Sequence, residues 1–282
     1  MNSAPNPTFA SSRPPTGILH VIGALWQNRS LIRQMIKRDV VGRYRGSVLG
    51  IVWSFFNPVF MLAVYTFVFS VVFQARWGGG TGDKSEFAIL IFSGMIVHGL
   101  FGECVTRAPG LILSNVNYVK KVVFPLQILP VVTLGAALFH TLISFCVLLL
   151  FYLLTQAHLN WTIVYLPLVI LPYLLLILGL SWFLAATGVF LRDVGQTTGI
   201  LVTVLMFLGP VFYPVTALPE EFRPLLFLNP LTFIIEQTRE VLIWGHPPDW
   251  AGLGLYMLAG ASVAWAGLFW FQKTRKGFAD VL

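Results

Sequence analysis

Inside the apolar stretches of this 282-residue chain, Glu103, His98 and His140 are the groups that could move a proton. Ionisable groups at membrane depth are functional candidates by default. One acid and two separate histidines do not compose a recognisable proton relay, and interhelical hydrogen bonding is the competing role. No His-Glu-x-x-His occurs, and the five histidines stand singly. The two cysteines, Cys104 and Cys146, lie in apolar stretches and make neither a disulfide framework nor a zinc site. Gly78-Gly79-Gly80-Thr81-Gly82-Asp83-Lys84-Ser85 has the composition of a phosphate-cradling loop. Asp83, however, interrupts the Gly-Lys-Ser/Thr order that such a loop requires. No other nucleotide-binding pattern occurs, so the chain does not hydrolyse ATP by itself and is expected to be no enzyme. Two sets of binding groups remain. Lys37, Arg38, Arg43 and Arg45 could meet a phosphate arriving from one leaflet, or serve as snorkelling anchors. Trp53, Phe56, Phe60 and Phe67 fall at spacings that share one helix face. Such a face is a platform on which sugar rings can slide, or a surface for lipid and helix packing.

The elements that must position these groups follow from composition. Hydrophobic residues make up 57% of the chain and charged ones 10%, with mean hydropathy +0.80. Ordinary soluble domains carry about 25% charged residues, so a soluble globular enzyme is excluded, and disorder with it. A bilayer-spanning helix needs about 20 mainly apolar residues. Six stretches qualify, at about 51–73, 87–105, 131–154, 163–190, 197–215 and 250–272. Their continuous apolar runs select an all-α membrane protein over a barrel. The break between the third and fourth falls at His158-Leu159-Asn160-Trp161-Thr162. All of the 18 Lys and Arg except Arg76, Lys84, Arg223 and Arg239 then lie on one side. That bias places both termini in the cytoplasm. The net charge of +7 and pI near 9.6 therefore report orientation, not binding to nucleic acid.

Residues 1–17 form a polar lead-in expected to be disordered, 18–50 an interface helix and bend, and 51–282 the transmembrane domain. Arg29–Arg38 is amphipathic, with Leu31, Ile32, Met35 and Ile36 on one half. This is the pattern of a helix lying in the membrane interface with its basic face out. Gly42, Gly46 and Gly50 could allow close helix approach or form a bend, and spacing alone does not choose. Ser114–Val123 is a short helix-like stretch, which Ser114 or Asn115 could cap. Val116, Tyr118, Val119, Val122 and Phe124 would suit docking on a soluble partner or internal packing. Between the fifth and sixth spans Pro210, Pro214, Pro219, Pro224 and Pro230 forbid one continuous helix. Helix starts are expected at Leu218-Pro219-Glu220-Glu221 and Asn229-Pro230. Two short re-entrant helices there would form an outer gate, or simply a lid.

Arg43-Tyr44-Arg45-Gly46-Ser47-Val48-Leu49-Gly50-Ile51-Val52-Trp53, followed by Asn57-Pro58, resembles the first span of ABC type-2 exporter permeases for polysaccharides. Asn115-Val116-Asn117-Tyr118-Val119-Lys120-Lys121 through Phe124-Pro125 is similar to that family's segment between spans two and three. Tyr213-Pro214 and Asn229-Pro230-Leu231-Thr232, then Arg239 and Gly245, resemble its outer region. The resemblance runs in order over about 25–275. It implies that two copies form a channel in the bacterial inner membrane, driven by two separate ATPase subunits that hold the ATP and Mg. The cargo implied is a lipid-linked polysaccharide, foremost O-antigen on undecaprenyl pyrophosphate; a drug, lipid or other small amphiphile is the alternative. Asn115, Tyr118, Lys120, Lys121 and Phe124 would couple to the ATPase. Lys37, Arg38, Arg43 and Arg45 would meet the pyrophosphate, and Trp53, Phe56, Phe60 and Phe67 would line the sugar path. Tyr213, Pro214, Asn229 and Pro230 would form the outer gate.

Overall fold

The computed structural model describes residues 18–72, 84–120 and 124–282. Among the described residues all regular structure is helical. The α-helices are α1 (Ile18–Gln27), α2 (Arg29–Arg43), α3 (Trp53–Tyr65), α4 (Lys84–Arg107), α5 (Val116–Val119) and α6 (Ile128–Gln156). They continue as α7 (Leu166–Phe190), α8 (Val194–Phe207), α9 (Arg223–Leu226), α10 (Pro230–Arg239), α11 (Trp250–Thr274) and α12 (Phe278–Val281). Among the described residues five helical stretches are long and apolar enough to cross a membrane: Gly50–Phe69, Ser85–Arg107, Ile128–Gln156, Trp161–Phe190 and Trp250–Val281.

Helix α4 is the centre. Its Ala88, Ile89, Leu90 and Ile91 are essentially inaccessible, as befits a helix that is apolar all round. α3, α6, α8 and α10 pack against it. α7 and α11 form the closest pair. A Cβ on Gly267 would collide with the Gly179 carbonyl, and one on Gly260 would come within 2.7 Å of the Pro172 carbonyl oxygen. Small residues that let backbones meet are the expected glue between helices in lipid. Ala157, in the left-handed conformation at φ 58°, ends α6 one residue before the expected break. Asp249 caps α11 by accepting from the amides of Ala251 and Gly252 at 3.1 and 3.0 Å.

The helix of the fifth expected span is shorter than expected. α8 stops at Phe207 instead of continuing to 215. Gly209 and Pro210 follow, and Pro210 has no amide to continue the ladder. At 1.5 Å per residue, the 14 residues of α8 reach about 21 Å, short of a hydrocarbon core of about 30 Å. The first expected outer helix is also smaller, a 3₁₀ turn at Glu220–Phe222 and the single turn α9. Pro219 stands one position before that turn, not at its first residue. The 114–123 stretch is likewise shorter, a 3₁₀ turn at Leu113–Asn115 followed by α5, with 121–123 outside the described residues. The glycine ambiguity resolves to a bend. Gly46 and Gly50 have φ of 87° and 51°, and a Cβ on Gly42, Gly46 or Gly50 would meet nothing within 4 Å. Glycine serves there for its left-handed backbone, turning the chain from α2 into the first span.

Candidate functional site

The wheel predicted for α2 matches the structure, but its apolar half has a different partner. Arg29, Arg33, Lys37, Arg38 and Arg43 are exposed, and Met35 is buried. Leu31, Ile32 and Ile36 pack with Met35 against the chain's own cluster around Ile112, Leu129 and Val132. Gly135 of α6 admits the Ile36 side chain, since a Cβ there would overlap it. The half expected to face lipid is therefore covered largely by the bundle.

Charges tie α2 to the end of α4. Arg43 pairs with Glu103. Arg107 donates through Nη2 to both oxygens of Asp39, at 2.9 and 3.0 Å. Its Nη1 lies 3.5 Å from Glu103 Oε1. These groups are partly exposed, so each pair contributes roughly 1 kcal/mol or less. An Asp39→Ala, Arg107→Ala double-mutant cycle in detergent is expected to give a coupling energy of about 1 kcal/mol. Additive thermal shifts would show that the bidentate pair contributes nothing. A cleft of about 730 Å³ opens beside this network, lined by Arg38, Asp39, Arg43, Arg107, Ser114 and Asn115.

Of the four residues expected to meet a pyrophosphate, two are engaged. Arg43 holds Glu103, and Arg38 donates to the Tyr118 hydroxyl at 2.8 Å with its guanidinium 5.9 Å from that ring's centroid. Lys37 and Arg45 are exposed, with no ion pair among the described residues. Tyr118 stacks on Phe124 with centroids 4.3 Å apart, and Arg275 donates to the Phe124 carbonyl at 3.1 Å. Tyr118, Val119 and Phe124 thus pack on the chain's own body, whereas Ser114, Asn117 and Lys120 face outward. Among the described residues the outward face of this segment is polar, and of the two roles left open Tyr118, Val119 and Phe124 take internal packing. Lys121 lies outside the described residues. Asn115 does not cap α5 with its side chain; its amide nitrogen donates back to the Leu111 carbonyl at 2.9 Å.

On α3 the buried stripe is Ser54, Pro58 and Leu62. Trp53, Phe56 and Phe60 are on the exposed side, and Phe67 is exposed in the π-helical turn Thr66–Val72. Trp53 meets Phe56 edge-on at 6.5 Å. Tyr65 turns inward to Phe92, and Phe69 stacks on Phe212 at 5.9 Å.

At the opposite end, Asn229 is the predicted cap. Its Oδ1 accepts from the Leu231 amide at 2.9 Å, with Pro230 at the first turn of α10. Its Nδ2 donates to the Leu205 carbonyl at 2.8 Å, and the Tyr213 hydroxyl donates to the Phe207 carbonyl at 2.9 Å. Both side chains thus satisfy carbonyls left open at the end of α8, while Pro214 leads into the next turn.

The family described as ABC-2 type transporter matches residues 30–243. The chain belongs to that family. It is 27% identical over 265 residues to the O-antigen export system permease protein RfbA of Myxococcus xanthus, covering 93% of this chain and 99% of the relative. It is 22% identical to the protein of that name from Klebsiella pneumoniae over 254 residues, covering 89% and 95%. The polysialic acid transport protein KpsM of Escherichia coli is 24% identical over 235 residues, covering 81% and 86%.

One residue of this ABC-2 chain carries more structure than spacing predicts. Arg239 is 1% exposed. It donates to the carbonyls of Leu90, Pro210 and Val211 and to Glu236, joining α10, α4 and the turn after α8. The available signal is Glu236 three residues before it, flanked by Ile234, Ile235, Val241 and Leu242. A charged pair within an apolar run is typical of a buried clamp.

Proposed function

We propose that this chain is the membrane subunit of an ATP-driven exporter that carries a lipid-linked polysaccharide, O-antigen on undecaprenyl pyrophosphate, across the bacterial inner membrane. The observation carrying this reading is the end-to-end alignment with permeases named for O-antigen and polysialic acid transport. A long polar polymer does not cross about 30 Å of hydrocarbon unaided, and the chain has no nucleotide-binding pattern. Two separate ATPase subunits therefore hold the ATP and Mg. Two copies of the chain form the conduit, and the exposed apolar side chains of α3 and α8, such as Phe60, Ile200 and Phe207, supply surface for a second copy and for membrane lipid. The basic end faces the cytoplasm with both termini, and α8 with the turns after it makes a sixth crossing. Lys37, Arg38, Arg43 and Arg45 receive the pyrophosphate, Trp53, Phe56, Phe60 and Phe67 line the glycan path, and α9 and α10 re-enter from outside behind Tyr213, Pro214, Asn229 and Pro230.

Deleting the gene is expected to trap lipid-linked glycan inside the cell and remove it from the surface. Normal surface glycan in the deletion strain overturns the reading. Asn115, Lys120 and Lys121 dock the ATPase in this scheme, with Tyr118 and Phe124 holding the segment against the bundle. Like-charge juxtaposition at an interface costs several kcal/mol, and about 1.4 kcal/mol is a tenfold change in affinity. Lys120→Glu with Lys121→Glu is thus expected to lower stimulation of the partner ATPase at least about tenfold while insertion is retained. Undiminished stimulation removes the docking assignment.

A further inference from the structure

A second cleft, of about 310 Å³, lies between α3, α4 and α6. Three of its lining groups are out of place in an apolar bundle. Asn57, on the first span, is exposed at the cleft and its amide has no hydrogen-bond partner among the described residues. His140, on α6, has a buried Nε2 with no partner, while its Nδ1 lies 3.3 Å from the Tyr44 hydroxyl. Glu103 lines the same cleft and is paired with Arg43. Tyr65 and Phe92 stand beside these groups with ring centroids 6.4 Å apart.

An amide or imidazole nitrogen at membrane depth is costly unless something bonds to it. The Asn57 amide and His140 Nε2 have no partner among the described residues, so a molecule entering the cleft can supply one. The Arg43–Glu103 pair largely cancels its own charge, so the cleft favours a neutral ligand over a phosphate. The larger neighbouring cleft is the more basic one, because Arg38 there has no acidic partner among the described residues. Hydroxyl groups, each both donor and acceptor, match an amide, an imidazole and a carboxylate, and aromatic faces match the C–H face of a sugar ring. At the small end of the usual range for ligand pockets, about 300–1,000 Å³, the cleft has room for a ring but not for a strand.

We propose that this cleft is a polar station inside the membrane for a single neutral sugar ring of the glycan, with Asn57 and His140 as its hydrogen-bonding groups. This rests on the export function proposed above. The station contacts one ring at a time, which keeps binding weak enough for a chain to leave.

The test uses the transporter assembled with its ATPase in cells. Met61, which lines the cleft without a polar role, is replaced by p-benzoylphenylalanine, and Leu168, on the exposed side of α7, serves as the control position. The cell's own glycan is detected by periodate oxidation and hydrazide labelling. Ultraviolet light is expected to attach glycan at 61 and not at 168. Asn57→Leu and His140→Phe, each checked for an unchanged melting temperature, are expected to reduce that adduct at least fivefold, with Asn57→Gln retaining it. Equal labelling at both positions, or labelling at 61 indifferent to Asn57→Leu and His140→Phe, overturns the station and leaves water as the partner of these groups. If the deletion strain traps glycan yet 61 stays unlabelled, only the station falls; if it exports normally, the export reading falls with it.

Discussion

Arg239→Leu is expected to destabilise the protein by about 3–5 kcal/mol, the range for removing one partner of a buried charge pair. Leucine fills part of the volume but donates nothing. The loss is unequal among the acceptors. The Leu90 carbonyl lies within α4 and also accepts from the Ser93 hydroxyl at 2.8 Å, so it keeps partners. The carbonyls of Pro210 and Val211 lie in the turn after α8, and Arg239 is the donor they receive. Two orphaned carbonyls, at about 1–3 kcal/mol each, account for most of the effect. Arg239→Lys retains the charge but not the planar fork of donors, so it falls between wild type and leucine. The check is unfolding in detergent followed by tryptophan fluorescence. A loss below about 1 kcal/mol would mean that water replaces the guanidinium.

Gly267→Ala is the second large effect. Adding one methyl group to a packed interior commonly costs about 1–3 kcal/mol. Here the obstacle is the Gly179 backbone, which has no rotamer to adopt, and a Cβ on Gly179 would in turn meet the backbone of Val263 and Ala264. α7 and α11 must therefore separate, and the substitution is expected at or above about 3 kcal/mol. Gly254→Ala on the same helix is the control, since a Cβ there meets nothing within 4 Å. It is expected to be neutral or to add up to about 1 kcal/mol from helix propensity. Equal melting temperatures for the two variants would refute the backbone contact.

What sequence revealed and what it concealed divide along range. Continuous apolar runs located five candidate spans, four of them to within four residues at both ends and the last at its start, because a bilayer imposes length on any helix that crosses it. Asn229-Pro230 marked the start of α10, because capping and the first-turn proline are local. The wheel of α2 was legible for the same reason, but its covering partner was not, since Gly135 lies on another helix. Arg239 lies 149 residues from Leu90 in sequence, and no periodicity carries that contact. The same holds for Asn160, which pattern placed in a break. Its amide donates to the Ile243 carbonyl at 2.8 Å, closing the π-helical turn Glu240–Trp244. For Tyr118 and Phe124 the sequence leaves docking and internal packing open, because apolar residues on a loop announce burial without naming the surface that buries them.

The shortness of α8 reaches beyond the protein. In the sixth crossing proposed above, its 14 residues fall about 9 Å short of an average hydrocarbon core. Leu201 and Phe207 hold their side chains outward on this helix, so acyl chains must shorten beside it or polar headgroups must sink toward it. Either response thins the membrane locally, at fractions of a kcal/mol per Å. In that proposed crossing the lipid annulus becomes part of the machine: bilayers of longer acyl chains oppose the position of α8, and shorter ones relieve it.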